Sequence, residues 1–138
     1  MDALLDTVLP FAQQTLEKYG AFHPIGAVMK NDGEISLVAG VPESPQAVSA
    51  DVVEMLIAGM SQRAVNREIR ASVVCFDGRV IPPGVTEQVD AICVHLEHVS
   101  DEHVAVFLPY RKKLFGKLTY GELFASPLDP RVFAATAF

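Results

Sequence analysis

The segment from Val89 to Tyr110 constrains the fold of this chain more than any other stretch of its sequence. It reads VDAICVHLEHVSDEHVAVFLPY, and two runs rich in β-branched and aromatic residues flank the polar cluster at 100–102. Such runs, separated by a short polar turn, are typical of a β-hairpin. Because side chains alternate along a strand, each run gathers its apolar residues on one face. We therefore predict two antiparallel strands that share one apolar face.

Burial of that face decides the register predicted for the hairpin. A three-residue loop over 100–102 pairs Val99 with His103 and keeps the apolar faces together, whereas a two-residue loop mixes them. The opposing core pairs are then Leu96 with Val106 and Val94 with Leu108, and the complete core face is Ile92, Val94, Leu96, Val104, Val106 and Leu108. Fully burying each of these side chains contributes about 1.5–3 kcal/mol before conformational entropy is subtracted.

Five further elements precede this hairpin. We predict a helix over 2–19 that ends at Gly20, a hairpin of 22–30 and 34–39, a long helix from Ser44-Pro45 to about Arg67, and a strand over 69–76. The order α-β-β-α-β-β-β usually gives one antiparallel sheet with helices packed on it. The predicted fold class is α+β, with a single antiparallel sheet of about five strands and one long helix packed across it. Residues 1–138 are expected to form one domain, with 126–138 as a loosely packed tail.

Three glycines give local expectations. In Asn31-Asp32-Gly33, a glycine in the left-handed position of a three-residue loop pairs Lys30 with Glu34. The same register places Met29 opposite Ile35 and Ala27 opposite Leu37. Asp77-Gly78 indicates a tight turn or a bulge after the strand. Gly59 lies in the middle of the long helix, where close approach to a strand would explain it.

Charge and hydropathy exclude several classes of protein. Hydrophobic residues make up 50% of the chain, so it can form a core and is not disordered by composition. A formal net charge of −6 argues against general nucleic-acid binding, which needs a basic surface. No apolar run approaches the roughly 20 residues that span a bilayer, and no basic residue precedes Lys18, unlike a secretory signal. We expect a cytoplasmic protein with no membrane association and no cofactor.

Catalytic and metal-binding motifs are scarce. The sequence contains no G-x-S-x-G, G-x-G-x-x-G or G-x-x-x-x-G-K-[ST], which weakens the hydrolase, dinucleotide and P-loop interpretations. Cys75 and Cys93 lie in apolar strand runs, where reduced, buried thiols are expected. A disulfide between them requires neighbouring strands, and the absence of a C-x-x-C spacing argues against zinc.

The best candidate for chemistry is the set His95, Glu97 and His103. His95 and Glu97 share a strand face at spacing i, i+2, and the predicted register puts His103 diagonally beside Glu97. Imidazole and carboxylate ligands in this arrangement can hold a metal with an open position, or act as a general acid-base pair. The alternatives are a solvated outer strand face and a subunit interface.

A basic segment follows the hairpin. Four of the eleven basic residues fall within 111–117, and aromatic residues lie beside them. Such a segment is often a solvated loop, but cations interleaved with aromatics also suit a docking patch for an acidic protein partner. The predicted patch consists of Tyr110, Arg111, Lys112, Lys113, Phe115, Lys117 and Tyr120.

Two resemblances bear on function. The element order is similar to that of roadblock/longin-type and profilin-like domains, which mostly act as dimerisation and docking platforms. At residue level, FHPIGAVMKNDGEI, DAICVHLEH, LPYRKK and YGELF together resemble small bacterial proteins of no assigned activity. The second resemblance spans most of 22–124, and neither resemblance transfers a catalytic residue.

These observations favour a non-enzymatic interaction module that forms a homodimer, with an exposed sheet face or edge as the contact. One alternative is a small metal-dependent or acid-base enzyme that uses His95, Glu97 and His103. Another is a small-molecule sensor with a pocket between the sheet and the long helix.

Overall fold

The computed structural model describes residues 2–39, 49–114 and 117–134. Within them the chain forms α1 (Asp2–Tyr19), β1 (Ile25–Lys30), β2 (Ile35–Ala39), α2 (Ser49–Val65), β3 (Ile69–Val80), β4 (Val89–His98), β5 (His103–Lys112), β6 (Leu118–Tyr120) and β7 (Phe124–Pro127). The predicted start of the long helix at Ser44-Pro45 lies outside the described residues. Neither described helix is long and apolar enough to cross a membrane.

All of these strands join one antiparallel sheet. Its order is β2-β1-β3-β4-β5-β6, and β7 pairs with β5 beside that path. The predicted single antiparallel sheet is therefore confirmed in a mixed helix and strand fold. The strand count of about five is wrong for the described residues, because the chain after the main hairpin adds β6 and β7.

The two helices cover opposite faces of the sheet, which corrects the prediction of one long helix packed across it. From α1, Leu4, Val8, Ala12 and Leu16 pack with the face that contains Val73, Ile92 and Val94. From α2, Val52, Leu56, Ile57, Met60 and Ala64 pack with Val28 and Val74 on the other face. The central strands are thus buried on both sides, as in a three-layer arrangement. Gly20, with φ of 78°, ends α1 as predicted.

The main hairpin has the predicted faces but not the predicted register. Leu96 pairs with Val104, Val94 with Val106, and Ile92 with Leu108, so β5 is shifted by two residues. The loop is 99–101, and the backbone N–H of His98 donates to the carbonyl of Glu102 at 2.8 Å. Asp101 takes the left-handed position, with φ of 69°, which aspartate tolerates better than most residues. A shift of two leaves every side chain on its face, and so the apolar pattern does not detect it.

The β1–β2 hairpin has the predicted register. Met29 pairs with Ile35 and Ala27 with Leu37, and Gly33 has φ of 93°. The backbone N–H of Lys30 donates to the carbonyl of Glu34 at 2.8 Å. Here the loop itself requires a glycine at one position, so the sequence specifies the register locally.

Two glycines do not act as predicted. Asp77-Gly78 makes no turn, because β3 continues through it to Val80. A Cβ on Gly78 would lie 2.9 Å from Cys93 Sγ, so the glycine leaves room for that thiol. Gly59 is exposed, with nothing within 4 Å of its missing Cβ. Close approach between α2 and the sheet occurs at Gly26 instead, where a Cβ would lie 3.5 Å from Met60 Sδ of α2 and 3.3 Å from the Val73 carbonyl oxygen of β3.

The cysteines lie on opposite faces of neighbouring strands. Cys75 belongs to the core under α1, whereas Cys93 pairs with Phe76 and points to the other side. Both thiols are free and buried. Burial raises the pKa of Cys93 to about 12, so both the geometry and the chemistry disfavour a disulfide between them.

Two glycine substitutions test the packing of α2. We expect Gly59→Ala to raise the free energy of unfolding by about 0.5–1 kcal/mol, because alanine favours the helix and the site has free space. Gly26→Ala, the matched control, should lower it by about 1–3 kcal/mol because its methyl group crowds the strand and Met60. Urea unfolding measures both, and a destabilised Gly59→Ala protein would contradict the exposed placement.

Candidate functional site

The main hairpin brings the predicted metal-site residues onto the sheet face that α2 covers. Glu97 lies directly opposite His103, and His95 lies two residues earlier on β4. The interpretation of this face as a solvated outer strand face is wrong, because Ala91, Cys93 and Glu97 are buried there. Val132 and Phe133, from the C-terminal segment, help to cover this face.

Glu97 binds backbone rather than solvent. Its side chain is 4% exposed. Its Oε1 accepts hydrogen bonds from the backbone N–H groups of Arg131 and Val132, both at 2.9 Å, and of Phe133 at 3.1 Å. Its Oε2 accepts a further contact from Val132 N–H at 3.1 Å. Consecutive N–H groups that converge on one anion stabilise its charge, and so Glu97 anchors the C-terminal segment to β4.

The two histidines beside Glu97 have different surroundings. His103 Nε2 lies 3.8 Å from Asp101 Oδ1, and its Nδ1 is buried without a hydrogen-bond partner among the described residues. In the part of the chain that the structure describes, no group of three or more His, Cys, Asp or Glu side chains is arranged to hold a metal. The metal site stays a prediction, which metal analysis of the purified protein would test.

His95 lines a cavity of about 390 Å³ between α2 and the sheet. Its ring meets the Phe76 ring edge to face, with centroids 5.0 Å apart. Burial lowers the pKa of His95 more than the nearby Glu97 carboxylate raises it, and the Arg131 guanidinium lowers it further, which favours the neutral imidazole. At the cavity wall the Arg131 guanidinium donates to both Glu54 oxygens, at 2.8 and 2.6 Å.

The predicted basic patch divides into internal and exposed residues. The buried Tyr110 donates its hydroxyl to Asp77 Oδ1 at 2.6 Å. Lys112 Nζ donates to the carbonyl of Gly20 at 2.7 Å, and the Tyr120 hydroxyl donates to Glu17 Oε1 at 2.9 Å. The Lys112 and Tyr120 contacts hold the end of α1 on the sheet. Arg111, Lys113 and Lys117 are exposed and Phe115 lies outside the described residues, so the docking patch stays a prediction.

β2 forms one edge of the sheet. No described strand pairs with its outer side. Because the Lys30 N–H bonds the Glu34 carbonyl, the alternation of an antiparallel ladder turns residues 34, 36 and 38 toward β1. The N–H and C=O groups of Ile35, Leu37 and Ala39 therefore point outward. The strand reads ISLVA and carries no charge, although natural edges are usually protected by charges or proline.

Apolar side chains flank this edge. Leu37 is 62% exposed, and Phe11 of α1 is 49% exposed. Glu17 contacts Tyr120, so the helix flank that carries Glu17 faces β6. Phe11 lies on the opposite flank, because positions 11 and 17 fall on either side of the buried row that contains Leu16. We therefore expect Phe11 to lie toward the β1–β2 end of the sheet, on the face that carries Leu37.

Comparison with known proteins adds no assignment. No family model, no curated protein and no solved structure matches this chain. The likeness to roadblock/longin-type and profilin-like domains is therefore unconfirmed, and arguments about function rest on the chain's own residues.

Glu97→Gln tests the structural role of the buried carboxylate. The amide NH₂ would meet backbone donors, so we expect the free energy of unfolding to fall by about 1–3 kcal/mol. Glu54→Gln is the matched control at an exposed carboxylate and should cause a smaller loss. Denaturant unfolding of both variants measures the difference, and equal losses would contradict the anchoring role of Glu97.

Proposed function

We propose that this protein is a non-enzymatic interaction module that forms a homodimer through the β2 edge. The observation that carries the proposal is the uncharged edge strand, whose outward backbone groups have no strand partner among the described residues. Unpaired N–H and C=O groups in a row are a template for pairing with another chain. A second copy offers the same row, so the contact is isologous and closes after two subunits.

The spacing of the outward groups fits a two-fold axis at Leu37. Antiparallel pairing about this residue places Leu37 opposite the partner's Leu37, and Ile35 opposite the partner's Ala39. Ile35, Leu37 and Ala39 are the residues whose backbone groups point outward, so this pairing satisfies the N–H and C=O groups of each residue. The two sheets then form one continuous sheet across the dimer.

Side chains add apolar contact to this backbone pairing. The alternation along β2 puts Ile35 and Leu37 on the face that α1 covers. Two copies of Leu37 meet there, and Phe11 from each helix flank extends the contact. Removing these exposed apolar surfaces from water favours association, which supports a stable dimer rather than a transient contact.

Substitution at Leu37 tests the dimer. Leu37→Lys places two charges at the axis, and Leu37→Pro removes an outward N–H while leaving the bonds of residues 36 and 38 to β1 intact. We expect the wild type to sediment as a dimer and both variants as monomers. Leu123→Lys, at another half-exposed apolar residue, is the control and should remain dimeric.

The oligomeric state of the wild-type protein decides whether the proposal holds. Analytical ultracentrifugation over a range of concentrations gives the masses, and circular dichroism shows that each variant keeps the fold. A wild type that stays monomeric at the highest concentration contradicts the proposal. A Leu37→Lys protein that stays dimeric also contradicts it, because the contact then lies elsewhere.

A further inference from the structure

The cavity beside His95 is a second site, separate from the β2 edge. Val53, Glu54 and Ile57 of α2 form one wall, Phe76 and His95 form the floor, and Arg131 lies at the C-terminal side. Its volume of about 390 Å³ lies within the range of about 300–1,000 Å³ that is typical of small-molecule pockets. Its lining is mostly apolar apart from four polar residues, Glu54, Asp77, His95 and Arg131.

Three of those four polar side chains are already paired, and one of them, Asp77, accepts a hydrogen bond from the Tyr110 hydroxyl at 2.6 Å. The Arg131 guanidinium makes a bidentate contact with Glu54, an arrangement that satisfies both charges. An anionic ligand would have to displace Glu54 from Arg131, and a cationic ligand would have to displace Arg131 from Glu54. The paired charges therefore favour a neutral occupant.

His95 is the polar group left for a ligand. Neither ring nitrogen makes a hydrogen bond with any described residue, although the side chain is partly buried and packs against Phe76. A neutral imidazole offers one donor and one acceptor. The His95 nitrogens are not among the fully buried atoms, so they are open to the cavity, where a ligand hydroxyl can take the place of solvent.

We propose that this cavity binds a small neutral aromatic molecule that carries one hydroxyl group, with the ring on Phe76 and the hydroxyl on His95. The aromatic ring fits the apolar walls from α2 and packs against the exposed part of the Phe76 ring. The hydroxyl completes the hydrogen bonding of His95. The site lies on the face opposite Leu37, so ligand binding and dimerisation are separable.

Three probes of equal ring size test the ligand class: 2-naphthol, naphthalene and 2-naphthoate. Amide chemical shifts of labelled protein, followed during titration, give the Kd and the location. We expect 2-naphthol to bind most tightly, with shifts at Val53, Ile57 and Phe76. His95→Phe keeps the ring and should weaken 2-naphthol about three- to tenfold, the loss of one hydrogen bond. It should leave naphthalene binding unchanged.

Further variants separate the site from its surroundings. Val53→Trp fills the cavity and should abolish binding of 2-naphthol, and Ala50→Trp at the exposed rim should do the same if Val53→Trp does not fold. His23→Phe, at an exposed histidine outside the cavity, and Leu37→Lys should bind as the wild type does. The proposal is overturned if 2-naphthol does not bind or if 2-naphthoate binds more tightly. It is also overturned if the shifts map to a different hollow of the surface, which is lined by Pro82, Tyr110 and Tyr120.

Discussion

The hydrogen bonds between the Glu97 carboxylate and the backbone of 131–133 anchor the C-terminal segment to the central strand β4. A buried carboxylate without partners is strongly unfavourable, and here consecutive N–H groups supply the partners. The same bonds place Val132 and Phe133 in the core under α2. They also place Arg131 beside Glu54, which forms the wall of the cavity that contains His95. Loss of this anchor would expose one face of the sheet and open the cavity.

Burial of the sheet on both faces explains the location of the proposed contact surface. β3 and β4 occupy the centre, with α1 on one side and α2 on the other, so their side chains and backbone groups are satisfied within the chain. β2 is at the end of the strand order, beyond the full cover of either helix. It combines apolar side chains with unpaired backbone groups, and a second copy of the chain satisfies both. The proposed dimer thus follows from the strand order.

Local signals in the sequence predicted the elements and their faces. Gly20 and Gly33 sit where backbone geometry requires a left-handed residue, so the end of α1 and the first hairpin followed from a few residues. The alternation of apolar and other residues in 89–110 predicted the core face. A shift of two residues between the paired strands preserves that alternation, and the position of Asp101 in the loop decided the register. Glu97 was predicted as a metal ligand because it shares a strand face with His95. Its hydrogen-bond partners in the structure are backbone groups 34–36 residues away, which no local pattern reveals. The position of β2 at the edge also depends on the pairing of β1 with β3, which are far apart in the sequence.

The anchoring of the C-terminal segment by Glu97 is the contact on which the rest of the structure depends most, because it closes the second core and shapes the cavity. Native-state hydrogen exchange of the Arg131, Val132 and Phe133 amides measures this contact directly in the unmodified protein. We predict that these amides exchange as slowly as those of the central strands, since they open only when the core opens. Exchange of all three at the rate of an unstructured peptide would contradict the account.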